Sequence, residues 1–150
     1  MRLRELFTDE VVKLDLESDT KEDALQELVG LLGLDPKSET TLFKTLKRRE
    51  NLGSTGIGKG IAIPPCRSLL GTRLRLAYGR KPGGLDFNAI DGAPVHNLFL
   101  IIAPPLEVSN QYLPVLGKIA QFAKDPDVPR RLLELETVEQ FLKLLHEKAP

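Results

Sequence analysis

The chain has no tryptophan, one cysteine, one methionine, two histidines and two tyrosines among its 150 residues. A single cysteine closes no internal disulfide, so folding must rest on an apolar core, and a lone thiol fits a reducing, cytoplasmic setting. The two histidines, His96 and His146, give no metal-site spacing, and neither metal nor cofactor is expected. Without tryptophan, an aromatic platform for single-stranded nucleic acid has little to build on, although six phenylalanines remain. An excess of one charge is missing too. Lys+Arg and Asp+Glu stand at 21 each, so no global field draws the chain to nucleic acid or to an anionic membrane. No apolar run approaches the roughly 20 residues that span a bilayer. The first ten residues, MRLRELFTDE, carry acids and no apolar core, so no secretory signal is expected there. There is no repeat, low-complexity tract or linker. The expectation is a single α/β domain over residues 1–150, with 41% apolar residues for a core.

The periodicities predict its elements. Leu3, Leu6 and Phe7 suit one helical turn, and residues 11–16 (VVKLDL) alternate as a half-buried strand. Ser18, Asp19 and Thr20 are cap candidates for a helix whose stripe is Ala24, Leu25, Leu28, Val29 and Leu32, stopped by Gly33. Ser38 is the expected cap of a second helix to Arg49, burying Leu42, Phe43 and Leu46 and ending in a cationic turn. Strands are expected over 61–63 and 74–78, turns at Pro82-Gly83-Gly84 and at Asp91-Gly92, and a strand over 95–103. The last is apolar throughout Leu98-Phe99-Leu100-Ile101-Ile102, as in a central strand covered on both faces. A helix from Ser109 or Asn110 to Lys124 should bury Leu113, Leu116, Ile119, Ala120 and Ala123, with Pro114 delaying or bending its start. Residues 128–135 form a shorter helix. A capping box at Thr137 opens the last one, to Lys148, with Val138, Phe141, Leu142 and Leu145 inward. The pattern predicts a three-layer sandwich, a mixed β-sheet flanked by helices on both faces.

The stretch with chemical character is RRENLGSTGIGKGIAIPPCR, residues 48–67, with glycines at 53, 56, 58 and 60. GSTGIGKG nearly satisfies the phosphate-loop pattern G-x-x-x-x-G-K-[ST], but Gly60 stands where the Mg²⁺-holding hydroxyl belongs. The context is reversed as well: a helix precedes the loop and a strand with two prolines follows, whereas a phosphate loop leads from a strand into a helix N-terminus. Nucleotide binding is not expected, on both grounds.

GSTGIGKGIAIPPCR resembles the segment around the phosphorylated histidine in enzyme IIA domains of the bacterial sugar phosphotransferase system, in the fructose, mannitol and nitrogen-regulatory branch. The resemblance covers nearly the whole chain. It extends to Asp91-Gly92-Ala93-Pro94-Val95-His96 before an apolar strand ending in Ala103-Pro104-Pro105, and to DPDVPRRLL from Asp125. It implies the type-2 enzyme IIA fold and a phosphoryl carrier that docks on other proteins, a phosphocarrier protein or regulatory targets.

The departures from that family decide the expected function. Its phosphoacceptor histidine falls on Pro65, its usual glycine on Cys66, and a second active-site histidine on Tyr112, while the arginine before the glycine run is kept as Arg49. Proline offers no nucleophile. The expectation is a chain without phosphotransfer that persists as a regulatory, protein-interaction module. Its anion- or partner-binding groups would be Arg49, Ser54, Thr55, Gly56 and Arg67. Two alternatives stand beside it: a relay that uses Cys66, its pKa lowered by Arg49 and Arg67, and a sensor of phosphate or sugar phosphate without turnover. His96 reads as a hydrogen-bonded structural residue, His146 as a surface one, and Lys44, Lys47, Arg48 and Arg49 as a solvated helix face or a site for an acidic or phosphorylated partner.

Overall fold

The computed structural model describes residues 2–68, 73–104 and 111–150. A 3-10 turn at Leu3–Leu6 buries Leu3, as the spacing predicts, and a second follows at Asp9–Val11. The strand expected over 11–16 shrinks to Val12–Lys13, β1. The Leu14 carbonyl is taken by the Arg80 side chain, whose Nε donates to it at 2.8 Å. Beyond it the Leu16 N–H still reaches the Arg80 carbonyl at 2.8 Å.

Helix α1 spans Lys21–Gly30, and of the three cap candidates Thr20 does the work, accepting from the Asp23 N–H. Helix α2, Pro36–Leu52, extends past both predicted ends. Asp35 rather than Ser38 is its cap, accepting from the Ser38 N–H at 2.8 Å. Pro36 takes the first helical position, where a missing N–H costs nothing. Three short strands follow: β2 (Gly56–Gly58), β3 (Ile61–Ala62) and β4 (Pro65–Arg67). Strand β5, Arg75–Leu85, runs through the Pro82-Gly83-Gly84 segment where a turn is expected. Its pairing with β6, Val95–Ala103, shifts register between Arg80 and Leu85, and this irregularity accommodates the proline and glycines without reversing the chain.

The sheet order is β1-β5-β6-β3-β2, with β4 also pairing β6. β1 lies parallel to β5, and β3 and β4 lie parallel to β6; the β5–β6 and β2–β3 pairs are antiparallel. Strand β6 is central. Its Phe99, Ile101 and Ala103 enter one core, and Leu98, Leu100 and Ile102 enter another with α1 and α2. The first core is closed by the N-terminal turn and by α3 (Tyr112–Lys124), α4 (Val128–Leu133) and α5 (Val138–Lys148). The expected three-layer sandwich is therefore the observed one.

The helix start expected at Ser109 or Asn110 lies outside the described residues; α3 is seen from Tyr112, with Pro114 in its first turn. Leu113 points outward instead of in, at 70% exposure, and Val115, Ile119, Phe122 and Ala123 fill the stripe. The capping box of α5 forms in full. There Leu144 joins Phe141 and Leu145 inside, while Val138 and Leu142 are half-buried.

Candidate functional site

Strands β3 and β4 hold a single register along β6, Ile61 opposite Asn97 and Pro65 opposite Ile101. They form one path broken at Ile63-Pro64, because the two prolines bring no N–H to the ladder. Pro64 still contributes its carbonyl, which accepts from the Ile101 N–H at 3.1 Å. Alternation along β4 then sorts the side chains. Cys66 faces the α1–α2 core, which sends Pro65 and Arg67 to the opposite face. On that side the Arg67 guanidinium lies 4.6 Å from the centroid of the Tyr112 ring, in cation–π geometry. Its Nη1 also donates to the Pro104 carbonyl at 3.3 Å. Of the expected site residues, Arg67 and Tyr112 thus meet directly, with Pro65 two residues before Arg67 on the same strand face.

The glycine run is a β-hairpin. β2 and β3 pair Gly56 with Ala62 and Gly58 with Ile61, and the turn residues Lys59 and Gly60 have φ of 56° and 77°, the left-handed pair that a two-residue hairpin loop requires. The Gly60 carbonyl accepts from both His96 N–H (2.8 Å) and Asn97 N–H (2.9 Å), tying the hairpin tip to β6. Gly56 is a close-approach position, since a Cβ there would stand 2.8 Å from the Cβ of Ala89.

The polar groups of this hairpin are engaged within the fold. Ser54 Oγ donates to the Phe87 carbonyl at 2.5 Å and accepts from the Gly56 N–H at 3.1 Å. Thr55 is buried, and both its N–H and its hydroxyl donate to the Glu50 carboxylate, at 2.9 and 2.6 Å. Arg49 turns back on its own loop, with Nη1 donating to the Gly53 carbonyl at 2.8 Å. Ser54, Thr55 and Gly56 therefore shape the hairpin with the donors that an anion would otherwise take.

Glu50 is the organising residue that sequence reasoning passes over. It is buried on α2 and paired with Lys21 Nζ at 2.7 Å. The same ammonium donates to the Phe87 carbonyl at 3.1 Å and lies 4.7 Å from the Phe87 ring centroid. A carboxylate in the last turn of a cationic helix looks solvated in sequence, and nothing local announces a lysine at the start of α1 as its partner.

Cys66 is 4% exposed, and burial pushes its thiol up to about 11. Its Sγ lies 3.5 Å from the Arg67 carbonyl. His96 Nδ1 lies 3.2 Å from the Lys81 carbonyl and 3.1 Å from that of Pro82, so it is hydrogen-bonded as expected, and His146 is exposed on α5.

Residues 5–148 match the family described as phosphoenolpyruvate-dependent sugar phosphotransferase system, EIIA 2. The chain belongs to this enzyme IIA family. The enzyme IIA chain is 33% identical over 148 residues to the nitrogen regulatory protein of Pseudomonas aeruginosa, covering 97% of this chain and 95% of that one. It is 31% identical over 149 residues to the fructose-specific EIIABC component of Bacillus subtilis, covering 98% of this chain but only 23% of that much longer protein. Among solved structures, nitrogen regulatory protein IIA-Ntr from Neisseria meningitidis superposes with a TM-score of 0.86 at 29% identity, covering 95% of this chain and 98% of that one. Mannitol IIA from Escherichia coli shares the fold at a TM-score of 0.74 and 21% identity, covering 93% and 98%. Among the described residues, no helix is long and apolar enough to cross a membrane.

Proposed function

We propose that this enzyme IIA-like chain carries no phosphate and works in the cytoplasm as a regulatory module that binds other proteins. The observation behind the reading is Pro65, on the strand face it shares with Arg67, where the family's acceptor histidine falls. Phosphoryl relay needs a nitrogen that attacks as a neutral base and then leaves, and a donor that steadies the transferred oxygens. A proline ring nitrogen within a peptide bond has no lone pair to offer. His96 lies near the start of β6, five residues from the Ile101 that stands opposite Pro65, and His146 is exposed on α5, so neither occupies the acceptor position.

Relay through Cys66 has less support. The thiol faces the α1–α2 core and, at about 11, is protonated at neutral pH; the thiolate is the nucleophile. A phosphate or sugar-phosphate sensor is supported only by Arg49 and Arg67, since the Ser54, Thr55 and Gly56 donors are used internally. Docking has support from relatives. The E. coli mannitol IIA has been solved in complex with phosphorylated IIB, and the P. aeruginosa relative is a nitrogen regulatory protein. We place the contact surface around Pro65, Arg67 and Tyr112, for a phosphocarrier protein or regulatory targets. Incubation with the phosphoenolpyruvate-driven cascade and a labelled donor should leave the protein unlabelled. A stoichiometric acid-labile adduct would end the reading, and an adduct lost in Cys66→Ser would establish the thiol relay in its place.

A further inference from the structure

Of the five large apolar side chains that stand exposed among the described residues, three belong to the glycine hairpin or to segments joined to it: Leu52 at 83%, Ile57 at 46% and Ile90 at 85%. Leu52 ends α2 next to Gly53. Ile57 is the middle residue of β2, the terminal strand of the sheet. Ile90 donates its N–H to the Gly56 carbonyl at 3.2 Å, and its Cγ2 would lie 3.8 Å from a Cβ on Gly58. Its loop is bonded throughout. Asp86 accepts from the Asn88 N–H at 3.1 Å, Asn88 is left-handed at φ 50°, and Asp91 accepts from the amides of Lys59 and Ala93 at 3.0 and 3.1 Å. Ile90 is thus displayed on a fixed backbone.

The charge around these segments is predominantly positive. Lys44, Arg48 and Leu52 fall at i, i+4 and i+8 on α2 and share one face of that helix. Among the described residues, no carboxylate lies within ion-pair distance of Lys44, Arg48, Arg49 or Lys59. Of the acids in the same segments, Glu50 is paired with Lys21, whereas Asp86 and Asp91 accept only from backbone amides and keep their charge, so four cations stand against these two carboxylates and the local balance is positive. In a chain whose total charges cancel, apolar anchors flanked by a surplus of cations are a selective feature. Apolar anchors supply affinity, and complementary charge supplies partner choice and encounter rate.

We propose that Lys44, Arg48, Leu52, Ile57 and Ile90 form a docking surface for an acidic protein segment carrying apolar side chains. This rests on the protein-binding reading above and names the chemistry of the partner. The test is a photo-reactive amino acid placed at position 90, and separately at position 113 beside Tyr112, in the full chain inside the source cells, with the linked peptide sequenced by mass spectrometry. The expected result is an adduct at position 90 whose linked segment is net negative and contains apolar residues. Its yield should fall at least tenfold in Arg48→Glu and in Leu52→Asp, both exposed positions whose folding circular dichroism can verify. A linked segment that is neutral or basic, or that comes from a second copy of this chain, overturns the proposal. So does an adduct at 113 with none at 90, although that outcome leaves the module reading standing. No adduct at either position ends both.

Discussion

Glu50→Ala is the perturbation that most directly probes how the hairpin is held. Removing the carboxylate takes away the 2.7 Å pair to Lys21 and leaves both donors of buried Thr55 without an acceptor. Breaking one side of a buried ion pair costs about 3–5 kcal/mol, and each stranded buried donor about 1–3 kcal/mol. Two features reduce that total. Lys21 is 20% exposed, so water reaches it, and it keeps the Phe87 carbonyl and ring. A net loss of about 3 kcal/mol follows, or roughly 6–12 °C in Tm for a domain of this size. With no tryptophan in the chain, far-UV circular dichroism in urea is the suitable readout, with an unchanged m-value marking a pure stability effect. Lys21→Met in the Glu50→Ala background should cost much less than in the wild type, because the pair is already broken. A loss below about 1 kcal/mol for Glu50→Ala, or full additivity with Lys21→Met, would refute the claim that this carboxylate anchors the hairpin.

Three further outcomes are expected. Burial alone would raise Glu27, but hydrogen bonds from Lys13, from the Ser18 side chain and from the Glu17 and Ser18 amides outweigh it and bring the carboxyl from 4.5 to about 2. That difference corresponds to roughly 3 kcal/mol of stability, present above pH about 4.5 and lost as the pH falls toward 2; urea titrations at pH 7 and pH 3 should show Glu27→Gln with a flatter acid limb, and parallel limbs would count against it. Gly79→Ala should cost about 1–3 kcal/mol by overpacking, because a Cβ there would stand 2.8 Å from Leu28 and 2.9 Å from Leu16 side-chain carbons, and a variant as stable as wild type in urea would contradict that packing. Cys66, buried and raised to about 11, should resist a disulfide reagent at pH 7.5 in the native protein and react at once in denaturant, whereas fast native labelling would mean that the thiol is accessible.

The sandwich was legible because β6 is apolar on every residue of its core and the helices are amphipathic at the right spacing. The capping box at Thr137 was legible for the same reason, as local chemistry with a local outcome. What escaped was decided at a distance. The strand over 11–16 stops early because Arg80, 66 residues from Leu14, takes a carbonyl. The Pro82-Gly83-Gly84 turn is absorbed as a register shift because β6 lies alongside. Leu113 looked like core from its type and spacing, but α3 turns another face inward. At the site, the positions 65, 67 and 112 could be named, while the stacking of Arg67 on Tyr112 and the Lys21–Glu50–Thr55 knot needed coordinates, since partners so far apart leave no periodic trace.

The glycine motif itself can now be separated from the chemistry it resembles. Ser54 and Thr55 bond to Phe87 and Glu50, Gly56 leaves room for Ala89, and Gly60 closes a two-residue turn whose carbonyl serves β6. Each of these residues is required to build the hairpin whether or not phosphate ever arrives. The likeness of GSTGIGKGIAIP to a phosphoryl-transfer segment is therefore explained by folding, and its presence argues neither for nor against transfer. That question rests on the side chains at positions 65, 67 and 112. There the chain offers a proline, with Arg67 stacked on Tyr112, and the proposed reading without phosphotransfer stands or falls on them.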